Sequence, residues 1–402
     1  MKIIKDPVHG YVEVDDPLLP LLDAPVMQRL RAIRQLGFSY LVYPGANHTR
    51  FEHSLGTMHL AGLMARQLGL SADETLLVKT AALLHDIGHG PFSHAIEPFM
   101  EEYTGRSHHH IREVLVSTGT WDLINDAGTD PEAVCALIEG EHPLGGIIHG
   151  DLDVDRMDYL LRDAHYTGVP YGTVDAHRLI RSVMLTDKGM VLRESGINAA
   201  ESLLIARTLM RPAVYFHHVG RIAEGLFGLA LYYHVRAGVD RAEIETLVRM
   251  DDGACIQTLR NSSATRAQQL VTRLQQRDLF KRALYVGKDQ VNTAAIPGIR
   301  LQHEERAIAA EIAAQAGVEE EEVLVDIPEF PREMSMAVQV RHRHLTMQLE
   351  ELSPMMKTLN ETRQGQWRLG VYAPATVSEQ VGEAAAAILH IRKPTTQGKL
   401  VL

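Results

Sequence analysis

Apolar residues recur at helical spacing through most of the first 235 positions. Leu55, Met58, Leu60, Leu63, Met64 and Leu68 predict a helix over Arg50–Leu68. Ser71 caps the next, over about Asp73–Gly88, which Gly88, Gly90 and Pro91 break. Val26, Met27, Leu30, Ile33 and Leu36 mark an earlier helix, with Asp23 as its cap and Pro25 in its first turn. Helical patterns also cover Phe92–Tyr103, His109–Ser117, Pro131–Glu139, Gly150–Ala164, Val174–Leu185 and Ala199–Ala237, the last interrupted at Pro212. Weak alternation over Lys2–Val14, around Asp6-Pro7-Val8-His9-Gly10, predicts a hairpin, and Asp187-Lys188-Gly189 predicts another turn.

After Arg236 the pattern changes. Helical stretches (Asp240–Met250, Thr265–Leu274, Leu301–Ala316, Val377–Ile391) alternate with β-like runs at Arg282–Val286, Val323–Ile327 and Trp367–Tyr372. The expected class is mainly α: a helical bundle over 1–235 and a smaller α+β part over 236–402 that serves subunit contacts.

Composition narrows the setting. The 402 residues are 45% hydrophobic, enough for a large core, with a net charge of -11. That balance argues against coating nucleic acid or a membrane surface through bulk charge. Two cysteines in no paired motif fit a reducing cytoplasm. The N-terminus lacks a signal-peptide core. No apolar run reaches the roughly 18–20 residues that span a membrane. Of 21 histidines, nine fall between His48 and His110, so the excess is local.

That excess centres on Ala81-Ala82-Leu83-Leu84-His85-Asp86-Ile87-Gly88-His89-Gly90-Pro91-Phe92-Ser93-His94. A His-Asp pair inside an apolar helix is costly to bury without a partner. A divalent cation is one partner and a buried salt bridge is the bland alternative. His53 and an aspartate of Asp151-Leu152-Asp153-Val154-Asp155-Arg156-Met157-Asp158-Tyr159 complete a candidate set of two His and two Asp. Spacing does not choose among Asp151, Asp153, Asp155 and Asp158. Such nitrogen–oxygen sites suit Fe, Mn, Zn, Ni or Co.

The order His53 … His85-Asp86 … Asp resembles the HD-domain metal-dependent phosphohydrolases. The longer matches Arg50-Phe51-Glu52-His53-Ser54-Leu55-Gly56, His85–His94 and Asp153–Tyr159 resemble the deoxynucleoside triphosphate triphosphohydrolase branch, over about residues 1–290. The resemblance implies an HD-domain helical bundle and one divalent transition metal on His53, His85, Asp86 and Asp155, with additional Mg accompanying the nucleotide. It implies hydrolysis of deoxynucleoside triphosphates to deoxynucleoside and inorganic triphosphate. Arg50, Arg156 and Arg207 match phosphate-facing positions, and arginine suits phosphate through paired, charge-assisted hydrogen bonds. His94 matches the acid/base position, with His89, Glu97 and His108 around it. Gln35, Leu36, Tyr159, Asp163 and Tyr215 match positions around the sugar, where a ring at Tyr215 would exclude a ribose 2′-hydroxyl. Asp23, Gln28 and Arg31, with Arg178 and Arg193, match the pocket of a GTP or dGTP activator between subunits of a dimer or tetramer. The chain departs from the pattern at His109, where an acidic residue is usual, and at Lys5 and Ser195. Rival readings are another HD-type nucleotidase or phosphodiesterase, and a non-catalytic nucleotide sensor or single-strand nucleic-acid binder. Three candidate phosphate arginines argue against the former. The complete ligand quartet and the acidic charge argue against the latter.

Overall fold

The computed structural model describes residues 1–186, 189–291, 302–331, 338–343 and 345–391. Nineteen α-helices and three small sheets make up the described residues. By internal packing the chain divides into two compact units. One comprises Met1–Tyr215, Arg241–Cys255 and Met334–Leu359; the other comprises Phe216–Asp240, Ile256–Glu333 and Asn360–Leu402. Neither is one continuous stretch. The helix His218–Arg236, which the hydrophobic pattern attaches to the N-terminal part, packs on Thr265–Gln275 in the second unit.

The first unit is a helical bundle. Arg50–Leu68 starts at a box in which the Thr49 amide donates to the Glu52 carboxylate at 2.6 Å, satisfying a helix-end donor. It stops where Gly69 turns left-handed at φ 71°. Ala72–Leu84 begins at the expected Ser71, whose hydroxyl accepts from the Glu74 amide. These two helices and Val154–Thr167 enclose a core in which Met58, Leu60, Met64, Leu83, Leu84 and Leu160 are fully buried. Each such side chain contributes about 2 kcal/mol of apolar burial. Lys2–Asp6 and Gly10–Val14 form the predicted hairpin, with Asp6 opposite Gly10. Val183–Thr186 and Gly189–Arg193 pair antiparallel, and the turn expected at Asp187-Lys188 lies outside the described residues. Gln339–His342 then joins Gly189–Arg193 in parallel, and Leu345–Gln348 closes this four-stranded sheet.

The second unit is α+β. Lys281–Gly287, Arg368–Ala373 and Leu324–Asp326 form an antiparallel sheet with Arg368–Ala373 in the middle. Gln302–Ala316 and Ser378–Ile388 pack on it around Ile312, Leu369, Val371 and Val381. Among the described residues no helix is long and apolar enough to cross a membrane.

Two sequence expectations are corrected. The helix Ala72–Leu84 ends before His85, so His85-Asp86 lies in the turn that follows rather than inside the helix. Asp23 is the last residue of Leu19–Asp23 and caps nothing. The next helix begins at Pro25 with Ala24 as its N-cap residue, because proline at the first position needs no donor satisfied.

Candidate metal centre

Three segment ends meet in the bundle. His53 sits in the first turn of Arg50–Leu68, and His85-Asp86 follows Ala72–Leu84. Asp155 sits in the first turn of Val154–Thr167, whose N-cap is Asp153, accepting from the Arg156 and Gly150 amides at 2.8 and 3.0 Å. His53 Nε2 lies 2.9 Å from Asp155 Oδ1 and 3.8 Å from Asp86 Oδ2. His85 Nε2 lies 3.4 Å from Asp86 Oδ1 and 3.7 Å from Asp155 Oδ1. The four acidic candidates thus separate: Asp153 caps, Asp155 faces the histidines, Asp158 bonds the far nitrogen of His53 at 2.7 Å, and Asp151 lines a neighbouring cleft.

The hydrogen bonds orient both rings. His85 Nδ1–H donates to the Ala82 carbonyl at 2.8 Å, so Nε2 is the nitrogen that carries the lone pair when the ring is neutral, and that buried atom has no hydrogen-bond partner. His53 Nδ1–H donates to Asp158, which turns its Nε2 to the same point. A buried, orphaned imidazole nitrogen beside a second imidazole and two carboxylates is a donor set that fits a divalent cation. The carboxylate on the far nitrogen is the usual support of a histidine ligand. Burial opposes charge on His53, but its bonds to Asp155 and Asp158 prevail and raise its pKa to about 10. Burial likewise opposes charge on Asp86, yet Arg50 and the adjacent histidines hold its carboxyl well below the usual range.

A second cluster shares Asp86. His89 Nε2 is 3.3 Å from Asp86 Oδ1, and its ring stacks on His108 at 3.8 Å. Glu97 receives His108 Nδ1 on one oxygen and His94 Nδ1 on the other, the latter at 2.7 Å. Burial, reinforced by Arg50, keeps His89 well below the ordinary imidazole range, and burial with His89 and His109 alongside does the same to His108. His94 differs, its side chain being 67% exposed. His109 takes the place of the expected acidic residue and reaches His149 at 3.3 Å. Together with Ser107, Asp151 and Arg156 these two line a cleft of about 740 Å³.

The segment joining these groups is held against its preference. Phe92 and Ser93 both take left-handed backbone, at φ 57° and 55°. The Phe92 amide donates to Asp252 Oδ1 at 2.7 Å. Ser93 Oγ accepts from Arg50 Nε at 2.8 Å and donates to the Arg34 carbonyl at 2.7 Å.

The expected phosphate arginines diverge. Arg50 is buried, grips Asp86 Oδ2 at 2.8 Å, and keeps one terminal nitrogen without a hydrogen bond. Arg156 folds back on Asp153 and the Gly150 carbonyl. Arg207 is half-buried near Tyr159. Of the sugar set, Asp163 accepts from His48 and from Tyr215 Oη, each at 2.8 Å, and Tyr159 stands edge-on to Tyr215 at 6.0 Å. Gln35 Oε1 is buried without a partner, and Leu36 is half-buried. Of the activator set, Gln28 bonds the Leu22 carbonyl and accepts from Arg31, which lies over the Phe51 ring. Asp23 and Arg193 are exposed, and Arg178 reaches the Ser195 carbonyl at 3.5 Å. Arg162, Asp6, His9 and His48 escaped sequence reading, and Asp158 entered it only as a rival metal ligand. The spacing Asp155-x-x-Asp158-x-x-x-Arg162 was the one local sign, since it puts all three on one helical face.

The model of the HD domain matches residues 50–163, and that of the HD-associated region matches 174–400. An uncharacterized protein of Methanocaldococcus jannaschii is 33% identical over 95% of this chain and 81% of its own length. The bovine deoxynucleoside triphosphate triphosphohydrolase SAMHD1 is 25% identical over 95% of this chain and 74% of its own. The crystal structure of a hypothetical protein from Aquifex aeolicus superposes with a TM-score of 0.77 at 30% identity, over 95% of this chain and 99% of that one. The metal-fitting quartet lies wholly within the HD match, and the chain belongs to the HD-domain phosphohydrolases, on the side of the family that resembles the deoxynucleoside triphosphate triphosphohydrolases.

Proposed function

We propose that the protein hydrolyses deoxynucleoside triphosphates to deoxynucleosides and inorganic triphosphate. The observation that carries this reading is the sharing of Asp86 between the metal-fitting quartet and the His89, His94, Glu97, His108 cluster, which sets proton-handling groups beside a cation site. A cation held by His53, His85, Asp86 and Asp155 supplies Lewis acidity toward a phosphoryl oxygen and an activated water. The remaining work falls to side chains. Water forms a bond to the α-phosphorus and gives up a proton to solvent, the bond from that phosphorus to the 5′-oxygen breaks, and the 5′-oxygen takes up a proton. His94 gives that proton through Nε2, because Glu97 holds its Nδ1. His89 and His108, kept neutral, accept hydrogen bonds rather than add charge. The unused nitrogen of Arg50, with Arg207 and Arg156, binds the triphosphate. Asp163 accepts from the 3′-hydroxyl, while the Tyr215 ring fills the space of a 2′-hydroxyl. Asp23, Gln28 and Arg31, with Arg178 and Arg193, read a guanine nucleotide that promotes a dimer or tetramer.

The test is a turnover screen of all dNTPs and NTPs, singly and mixed, with metal analysis of the isolated protein. Triphosphate as product supports the reading. Release of monophosphate or pyrophosphate overturns it in favour of a nucleotidase or phosphodiesterase. Hydrolysis of dATP unaffected by dGTP, with no change in assembly mass, overturns the activator part alone.

A further inference from the structure

We infer that the N-terminal turn Asp6-Pro7-Val8-His9-Gly10 is a working part of the metal centre: His9 and Asp6 are positioning residues that fix Asp158 and Arg162 and, through them, the ring of His53. This rests on the reading of His53 as a metal ligand. The chain of contacts is continuous. His9 Nε2 donates to Asp158 Oδ1 at 2.5 Å, and Asp158 Oδ2 accepts from His53 Nδ1 at 2.7 Å. Arg162 closes on both oxygens of Asp158, each at 2.9 Å, and reaches Asp6 Oδ2 at 2.9 Å with its other terminal nitrogen. Asp6 Oδ1 in turn accepts from the amides of Val8 and His9, at 2.9 and 2.7 Å, which shapes the turn that aims His9 inward.

None of these groups is left to solvent. Side-chain exposure is 5% for His9, 4% for Asp6 and 0% for both Asp158 and Arg162. Asp158 accepts four hydrogen bonds, and so the plane of its carboxylate is set from every side. That plane sets the His53 ring, and the hydrogen bond on Nδ1 strengthens Nε2 as a donor to a cation. The bundle makes room for the arrangement at Gly56, where a Cβ would overlap Asp158 and Arg162. A hairpin that only covered the bundle would not need a buried imidazole directed at the partner of a ligand.

The test titrates Co²⁺ into metal-stripped protein, with a chelator as competitor, and records the Co²⁺ d–d spectrum. His9→Ala is expected to weaken Co²⁺ binding 10- to 100-fold, about the effect of losing an outer partner of a metal ligand, and to alter the d–d bands. His9→Gln, which keeps an N–H donor, restores most of the affinity, and Tyr11→Ala, on the exposed face of the same hairpin, leaves it unchanged. Asp6→Asn keeps the turn acceptor and serves if His9→Ala does not fold. Wild-type Co²⁺ affinity and spectrum in His9→Ala would overturn the inference, as would a loss that His9→Gln fails to rescue. If His53→Ala binds Co²⁺ as tightly as wild type, the metal-site reading itself fails, and this inference with it.

Discussion

The hydroxyl of Tyr215 donates to Asp163 Oδ2 at 2.8 Å while His48 holds the other oxygen at the same distance. The carboxylate proposed to meet the sugar is therefore oriented before any sugar arrives. Tyr215→Phe removes one donor from a buried carboxylate and should cost about 1–3 kcal/mol of stability, leaving the ring in place. Tyr215→Ala removes the ring as well. The expected outcome is a rise of about tenfold or more in ribonucleotide relative to deoxyribonucleotide turnover for Tyr215→Ala only. A matching rise in Tyr215→Phe would place discrimination in the hydroxyl instead.

Asp86 answers to two partners, the proposed cation site and Arg50. Asp86→Asn keeps a hydrogen-bond acceptor for Arg50 but is a poor ligand, so it should fold, lose bound metal and lose turnover together. Asp86→Ala should do the same and also unfold more easily, by about 3–5 kcal/mol, because it strands a buried guanidinium. Metal analysis and urea unfolding of the two variants, side by side, measure both effects.

Gly56 has no room for a methyl group. Gly56→Ala drives a carbon into Asp158 and Arg162, neither of which can retreat from its buried bonds. A loss of about 3 kcal/mol is expected from such overpacking, along with weaker metal retention. Gly62→Ala, whose Cβ would meet the Lys79 side chain at 3.4 Å, is the control in the same helix. Equal melting temperatures for the two variants would show that Asp158 has slack.

Asp252 supplies the pH prediction. Burial raises its carboxyl from 3.8 to about 6, despite hydrogen bonds from the Phe92 and Arg34 amides. Between these values the unfolded chain is ionised and the folded one still holds its proton, so stability falls as pH rises from about 4 to 6. Complete ionisation costs about 3 kcal/mol. Asp252→Asn keeps an acceptor for the Phe92 amide and has no proton to lose. Urea midpoints at intervals from pH 4 to 7 should therefore fall more steeply for wild type than for Asp252→Asn. Parallel curves would contradict the assignment.

Local rules carried the sequence reading far in some places. Ser71 announced a helix start because an N-cap draws only on the residues of its own first turn. The runs at 282–286, 323–327 and 367–372 were legible because the sheet they form is apolar on its helix-covered side, and Leu369 and Val371 are fully buried. Gln339–His342 and Leu345–Gln348 were not. Their polar composition carries no strand signal, and the first is fixed by pairing with Gly189–Arg193, far away in sequence. At the centre, residue types and order pointed to His53, His85 and Asp86, while only the family resemblance singled out Asp155 from the aspartates around it. The hold that His9 exerts on Asp158 joins residues 149 positions apart, for which no periodicity exists.

The left-handed pair Phe92-Ser93 also has a consequence in time. Each such residue costs about 1–3 kcal/mol, and the acceptor that steadies the first, Asp252, is 160 positions downstream. Synthesis runs at roughly 5–20 residues per second, so Asp252 leaves the ribosome on the order of 5–20 seconds after Asp155. A nascent chain carries every group of the cation site before it carries the anchor of the loop bearing His94. The residues proposed to hold the cation are thus synthesised well before the residue that anchors the loop of the proposed proton donor.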